Sequence, residues 1–267
     1  MRATDFVYDG YSLSDYGFMI GKIDSSNGTE TFDVGSQITF NTTPQHNGKY
    51  VALTNVQYDS CVTCTFQICK IPCNVQDMEI TFAEFRDLMR WLNRKEFLPF
   101  NFCIETGDIV YFDASFNVKK ITVGGILYGL ELTMETNRPF GYGDKIVHTL
   151  KFSNASQTIE IEDASDEIGY IYPDMKITCS SSGDLSIKNA EQNCTMLVKN
   201  CESGEVITIS GNAQFITTSS TTHKIANDFN YQFMKIGNTF TNRKNTLSVS
   251  SPCSIELSYN PIIKDLM

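Results

Sequence analysis

The chain has 267 residues, a formal net charge of −10, and 41% hydrophobic against 19% charged residues. That apolar share can bury one large β domain or two ordinary ones, and it excludes wholesale disorder. Lysine and arginine are scattered rather than clustered, which excludes tight DNA binding, since that needs a positive face to displace counterions.

Ser, Thr, Ile, Val, Phe and Tyr are abundant, the profile of a β-rich protein. The opening Met-Arg-Ala-Thr-Asp-Phe lacks the apolar core of a signal peptide, and no window approaches the roughly eighteen apolar residues of a membrane span. The expectation is a protein made and kept in a cytosol, without a membrane partner. The sequons at Asn27, Asn41, Asn154 and Asn193 are then incidental.

In chain order, Phe6–Tyr8 reads as a short strand running into an Asp9-Gly10 turn, with a second turn at Ser14–Gly17 before a strand over Gly17–Ile23. Further strands are expected at Ser36–Phe40, Tyr50–Gln57, Cys61–Lys70, Phe100–Ile104, Ile109–Asp113, Val118–Ile121 and Leu127–Glu135. Asn27-Gly28, Asn47-Gly48, Thr106-Gly107 and Gly124-Gly125 supply turn chemistry between them.

One helix is expected, over 81–93. Thr81 followed by Glu84 is a capping box, and Arg90 and Arg94 complement the dipole at the other end. Phe82, Phe85, Leu88 and Leu92 recur at three- and four-residue spacing, which predicts a buried face with Trp91 at its edge. Arg86 is expected on the opposite, solvated face.

Around Asn137–Asp144 a proline and two glycines break the strand pattern, the composition of a domain junction. The expectation is an α+β domain over 1–140 and a β-sandwich over 141–267. The second half shows no helical periodicity. Its expected strands are Ile146–Phe152, Gln157–Ile161, Met175–Cys179, Leu185–Lys188, Thr195–Lys199, Val206–Ile209, Gln214–Thr217, Gln232–Ile236, Thr246–Ser250 and Ser254–Tyr259. Thr217–Thr222, all Ser or Thr, reads as an exposed mobile loop.

Chemical motifs are sparse. Cys61, Cys64, Cys69 and Cys73 lie close together, but strand alternation turns Cys61 and Cys64 to opposite faces, so small buried cysteines are favoured over a metal or redox site. His46, His148 and His223 fit no metal or catalytic spacing. Gly124–Gly129 has a phosphate-loop glycine spacing, but Leu130 stands where the lysine belongs. The acidic run Glu160–Glu167 lacks the glycine of a calcium loop and reads as a solvated loop. No catalytic residue, cofactor or metal site is expected, and the chain is read as no enzyme.

Several segments in chain order resemble the bacteriophage distal tail proteins. Phe6-x-Tyr8-x-Gly10-x-Ser12-x-x-Asp15-Tyr16-Gly17 is similar to the family's first strand pair, and Tyr58–Lys70 to its long central strand. The helix ending Arg90-Trp91-Leu92, with Phe97–Phe102 after it, resembles the helix and next strand of the ring domain. Asn117–Ile121 and Gly125–Glu135 continue the match, and Arg138–Tyr142 resembles the junction that closes that domain. Tyr172–Ile177 and Asp184–Asn189 are similar to the start of the family's galectin-like domain.

The resemblance implies a mainly β fold with a galectin-like second domain, and a homohexameric ring at the phage tail tip. Such a ring would join the tail tube protein to tip or baseplate hub proteins, let DNA pass without specific binding, and be assembled in the bacterial cytoplasm. The outer domains of such rings project outward. The alternative is a lectin-like carbohydrate-binding sandwich, for which Tyr170, Tyr172, Tyr231 and Tyr259 are candidate platforms, although strand packing explains them as well. A hydrolase is disfavoured, because no nucleophile or metal motif stands out.

Overall fold

A computed structural model of the chain describes residues 3–21, 35–45, 50–58, 61–72, 77–104, 109–155 and 157–266. Cys73, His46 and the turns at Asn27-Gly28, Asn47-Gly48 and Thr106-Gly107 lie outside the described residues. The chain divides into two compact units, Met1–Gly143 with Ile263–Met267, and Asp144–Ile262. No helix among the described residues is long and apolar enough to cross a membrane.

The first unit contains β1 (Asp5–Tyr8), β2 (Tyr11–Ser12), β3 (Phe18–Ile20), β4 (Ile38–Gln45), β5 (Tyr50–Tyr58), β6 (Thr63–Lys70), α1 (Phe82–Leu92), β7 (Leu98–Cys103), β8 (Tyr111–Val123), β9 (Ile126–Thr136) and β10 (Gly141–Tyr142). Its main sheet runs β2-β1-β7-β8-β9-β6-β3, while β4 and β5 form a separate two-stranded sheet among the described residues. Asp9 and Gly10 both have positive φ, 51° and 79°, the requirement of the two-residue turn whose twist matches a hairpin. Period-two alternation then sends Phe6 and Tyr8 inward from β1, and Cys64, Phe66 and Ile68 inward from β6.

These side chains meet Phe100 and Phe102 of β7 and Phe116 of β8 in an aromatic cluster. Phe6 lies 5.4 Å from Phe100 and 5.7 Å from Phe66, and Phe66 packs edge-on against Phe102 at 5.3 Å. β8 is continuous where the sequence suggests two strands. Ser115 takes the outward position between buried Ala114 and Phe116, Asn117 is outward after it, and β9 pairs with β8 without interruption from Ala114 to Val123, with a bulge at Ile121/Thr122.

The second unit contains β11 (Ile146–Phe152), β12 (Thr158–Glu162), β13 (Gly169–Ile171), β14 (Asp174–Cys179), β15 (Gly183–Asn189), β16 (Cys194–Cys201), β17 (Val206–Ser210), β18 (Phe215–Thr218), the one-turn α2 (Ile225–Asp228), β19 (Ile236–Asn238), β20 (Lys244–Val249) and β21 (Cys253–Tyr259). A five-stranded sheet, β11-β21-β14-β17-β18, and a four-stranded sheet, β12-β20-β15-β16, contribute to one core. Inward residues include Met175, Ile177 and Cys179 from the first sheet and Ile187, Met196 and Val198 from the second. The last strand, β22 (Ile262–Ile263), pairs with β10, and Leu266 is buried in the first unit's core. The protein is mainly β.

Four local expectations for this half are corrected. Gln232–Ile236 is not a strand: Phe233 and Met234 are buried from an irregular segment, and pairing starts only at Ile236. α2 has no signal in the sequence, because one turn is too short to show a period. The serine and threonine run is tied down rather than loose. Thr217 and Thr218 belong to β18, Val206 N–H donates to Ser219 Oγ at 2.9 Å, and Thr222 Oγ1 donates to Glu202 Oε1 at 2.6 Å. In the acidic run Asp163 is buried, accepting from Asn238 Nδ2 at 2.8 Å and from the Ser165 amide at 3.0 Å. Burial of that carboxylate is possible because fixed donors replace water.

Candidate functional site

Helix α1 is positioned by its ends. Thr81 Oγ1 accepts from the Glu84 amide at 3.3 Å, and the Thr81 amide donates to Glu84 Oε2 at 2.8 Å, the reciprocal bonds of the capping box. Lys70 Nζ, nearly buried, lies 2.9 Å from the same Glu84 carboxylate. Burial opposes ionisation of Glu84, but the Lys70 ammonium and the Thr81 donors outweigh it and hold the carboxyl below its ordinary range. At the other end Arg94 donates to the Trp91 carbonyl at 3.0 Å and pairs with Asp9 at 2.7 Å, which ties the helix to the first hairpin.

The buried face of α1 is Leu88, Trp91 and Leu92, with Phe85 half-buried against the core and Lys120 Nζ 4.2 Å from its ring centre. Phe82 is corrected: it is 73% exposed. At about 100° per residue it stands roughly 120° around the helix from Leu88, whereas Trp91 and Leu92 stand within about 60°. The large Trp91 ring turns the buried stripe toward itself. It is fully in the core rather than at an edge, stacked 4.5 Å from Tyr16 and 5.7 Å from Phe6. Arg86 is exposed on the solvated side.

The β4–β5 ribbon is the most unusual surface of the first unit. Phe40 faces Val56 across the ribbon and Ile38 faces Tyr58. Ile38, Phe40 and Val56 are 51%, 62% and 46% exposed. Alternation places all three on one side of the ribbon. Its base is fixed: Tyr58 packs edge-on against Phe140 at 4.6 Å, Lys264 Nζ donates to the Tyr58 hydroxyl at 2.9 Å, and Ser36 N–H donates to the Pro139 carbonyl at 3.0 Å. Sequence reading missed this surface, although alternating apolar residues in Ile38-Thr39-Phe40 carry a two-residue period.

Cys64 points into the core from β6, while Cys69 lies on the opposite face and is half-exposed, so the two do not converge; Cys61, before the strand, is also half-exposed. The buried-cysteine expectation therefore fits Cys64 but not Cys61 or Cys69. No disulfide joins the eight described cysteines to one another, and no group of three or more metal-ligating side chains occurs among the described residues.

In the second unit His223 and Glu205 form a buried pair, Nδ1 to Oε1 at 2.7 Å, with Thr218 Oγ1 donating to the same carboxylate and Asp228 Oδ2 3.4 Å from His223 Nε2. Burial disfavours charge on both groups. The Thr218 and His223 donors overcome it for Glu205, whose carboxyl is held low, and the Glu205 hydrogen bond and charge raise His223.

Of the four tyrosines named as platforms, Tyr259 is corrected. It is buried, its hydroxyl donating to the Glu162 carbonyl at 3.1 Å and accepting from the Ala164 amide at 3.2 Å. Tyr170 and Tyr231 are exposed and Tyr172 is half-buried. Tyr172 and Tyr231 line one cavity with residues from the β15–β16 and β17–β18 turns. Gly211, at the start of the latter turn, accommodates the Tyr172 backbone, since a Cβ there would meet the Tyr172 carbonyl at 1.9 Å.

A β-rich unit with one capped helix, followed by a two-sheet sandwich, is matched along its length by family models. The model described as phage tail protein N-terminal domain covers residues 1–138, and that described as phage tail C-terminal domain covers residues 140–259. The chain belongs to this family of phage tail proteins. Among solved structures its fold is similar to the SPP1 Dit (gp 19.1) protein, described as a paradigm of the hub adsorption apparatus in phages infecting Gram-positive bacteria. That likeness has a TM-score of 0.69 at 12% identity and covers 97% of this chain and 99% of the other. No curated protein matches the chain.

Proposed function

We propose that this chain is a distal tail hub, a structural protein rather than an enzyme, of which six copies close into a ring at the phage tail tip. The ring joins the tail tube protein on one side to tip or baseplate hub proteins on the other, and it is assembled in the bacterial cytoplasm. The first unit carries the ring contacts and the second unit forms the outer domain.

The observation that supports this most is the end-to-end agreement in fold with a hub protein, with neither chain carrying a large unmatched part. A local feature supports the ring. A two-stranded ribbon is marginal by itself, and an apolar row such as Ile38, Phe40 and Val56 is costly in water unless another surface covers it. A second copy of the chain is the fitting partner, because a closed ring needs a heterologous contact repeated head to tail. Six chains at −10 each sum to −60. That charge favours a lumen along which DNA slides without adhering.

Light scattering on the eluting full-length protein tests the reading. A ring of six 30.0 kDa chains has a mass of about 180 kDa, and Phe40→Glu is expected to reduce it to that of a single chain without unfolding either unit. A single-chain mass at every concentration, or a Phe40→Glu variant that still assembles, would contradict the ring and its proposed contact.

A further inference from the structure

The β15–β16 turn, the β17–β18 turn and the segment after α2 converge on a cavity of about 320 Å³ in the second unit. Five non-glycine residues among those described have positive φ, and three of them line this cavity: Asn193 at 44°, Gln214 at 48° and Tyr231 at 56°. Asn193 and Gln214 each close a four-residue turn, their amides donating to Ala190 O at 3.3 Å and Gly211 O at 3.2 Å. Asparagine tolerates this backbone region; glutamine and tyrosine are uncommon there, and such outliers concentrate at ligand sites.

The chemistry of the walls is specific. Gln192, Asn193, Gln214 and Gln232 line the cavity, their side-chain amides make no hydrogen bond with any described residue, and each amide carries two donors and an acceptor. Tyr172 and Tyr231 supply aromatic surface. Tyr231 is fixed by its hydroxyl, which donates to the Ala226 carbonyl at 2.7 Å, and Tyr172 is braced edge-on by Tyr170 at 5.6 Å. Lys235 Nζ stands 4.2 Å from the Tyr170 ring centre and 5.7 Å from that of Tyr172, and it makes no ion pair among the described residues. No carboxylate lines the cavity.

Amides that both donate and accept match the hydroxyl groups of a sugar, tyrosine faces match its C–H surface, and an unpaired ammonium selects negative charge. We propose that this cavity binds a saccharide unit bearing a carboxylate or phosphate, with the four amides reading its hydroxyls and Lys235 its charge. The site does not depend on the hub reading: assembly is read by mass and the cavity by ligand binding, so either can fail alone.

Titration calorimetry on the full chain tests it, with methyl β-D-glucuronide, glucose 6-phosphate, methyl β-D-glucoside and inorganic phosphate as probes. The two acidic sugars are expected to bind about tenfold more tightly than the neutral glucoside and than phosphate alone, the effect of one added charged contact. Gln192→Ala and Gln232→Ala, with unchanged melting temperatures, should each weaken the acidic sugars by about three- to tenfold. Lys235→Met should abolish the preference for the acidic sugars. Absence of binding by every sugar at millimolar concentration, phosphate binding as tightly as glucose 6-phosphate, or full affinity in both glutamine variants would each overturn the assignment.

Discussion

The indole Nε1 of Trp91 donates to the Tyr8 carbonyl at 3.1 Å, joining the helix to the first strand across 83 residues of sequence. Tyr8 and Trp91 are both buried. Trp91→Phe preserves much of the stacking on Phe6 and Tyr16 but removes this hydrogen bond, while the Tyr8–Tyr11 hairpin pairing remains. It is expected to cost about 0.5–1.5 kcal/mol. Urea unfolding followed by circular dichroism measures it, since the substitution removes the only tryptophan and with it the fluorescence signal.

The rotation of the helix face separates two neighbouring apolar residues by their cost. Leu88→Ala empties a fully buried site and should cost about 2–5 kcal/mol. Phe82→Ala and Arg86→Ala, both on the exposed side, should each stay within about 0.5 kcal/mol in the unassembled chain. Thermal melts of the three variants decide it. A destabilising Phe82→Ala with a tolerated Leu88→Ala would mean that the helix faces the other way.

Asn245 is fully buried and bonded on both ends of its amide. Oδ1 accepts from Asn189 Nδ2 and from the Gly237 amide, each at 2.9 Å, while Nδ2 donates to Gly237 O at 2.9 Å and Arg243 O at 3.1 Å. Asn245→Ala strands several buried partners at once and is expected to cost about 2–3 kcal/mol or more. Asn245→Asp should also destabilise, because it replaces two donated bonds with carboxylate oxygen facing carbonyls. Chemical denaturation of both variants is the measurement.

The His223–Glu205 pair makes the stability of the second unit depend on pH from two sides. His223 is raised above its ordinary 6.5, so its contribution is complete below pH 6.5 and is lost as pH climbs through the folded value. Glu205 is lowered below its ordinary 4.5, so its contribution is complete above pH 4.5 and is lost as pH falls through the folded value. The pair therefore stabilises most between pH 4.5 and 6.5, and its share declines on the alkaline side. Melting temperature against pH should show that decline. His223→Gln should flatten it and, by leaving Glu205 buried without its cation, cost about 3–5 kcal/mol at pH 6.

The sequence by itself determined what depends on residues within a few positions of one another. Thr81 and Glu84 define the helix start, Asp9-Gly10 the first hairpin turn, and alternation through Phe6–Tyr8, Cys64–Ile68 and Met175–Cys179 defines which side of each strand is buried. The order of these elements also carried the family resemblance, because order and spacing are linear properties. Tertiary structure decided what depends on the surfaces that meet. Phe82 satisfies the helical period but lies outside because Trp91 finds Tyr16 and Phe6; Tyr259 resembles an exposed platform but sits under the Glu162 carbonyl. His223 and Glu205, 18 residues apart, become a pair only when β17 and β18 bring them together. The cavity needs two turns and a loop whose residues have no common pattern in the chain, since a local period reports one element's faces and never which other element will cover them.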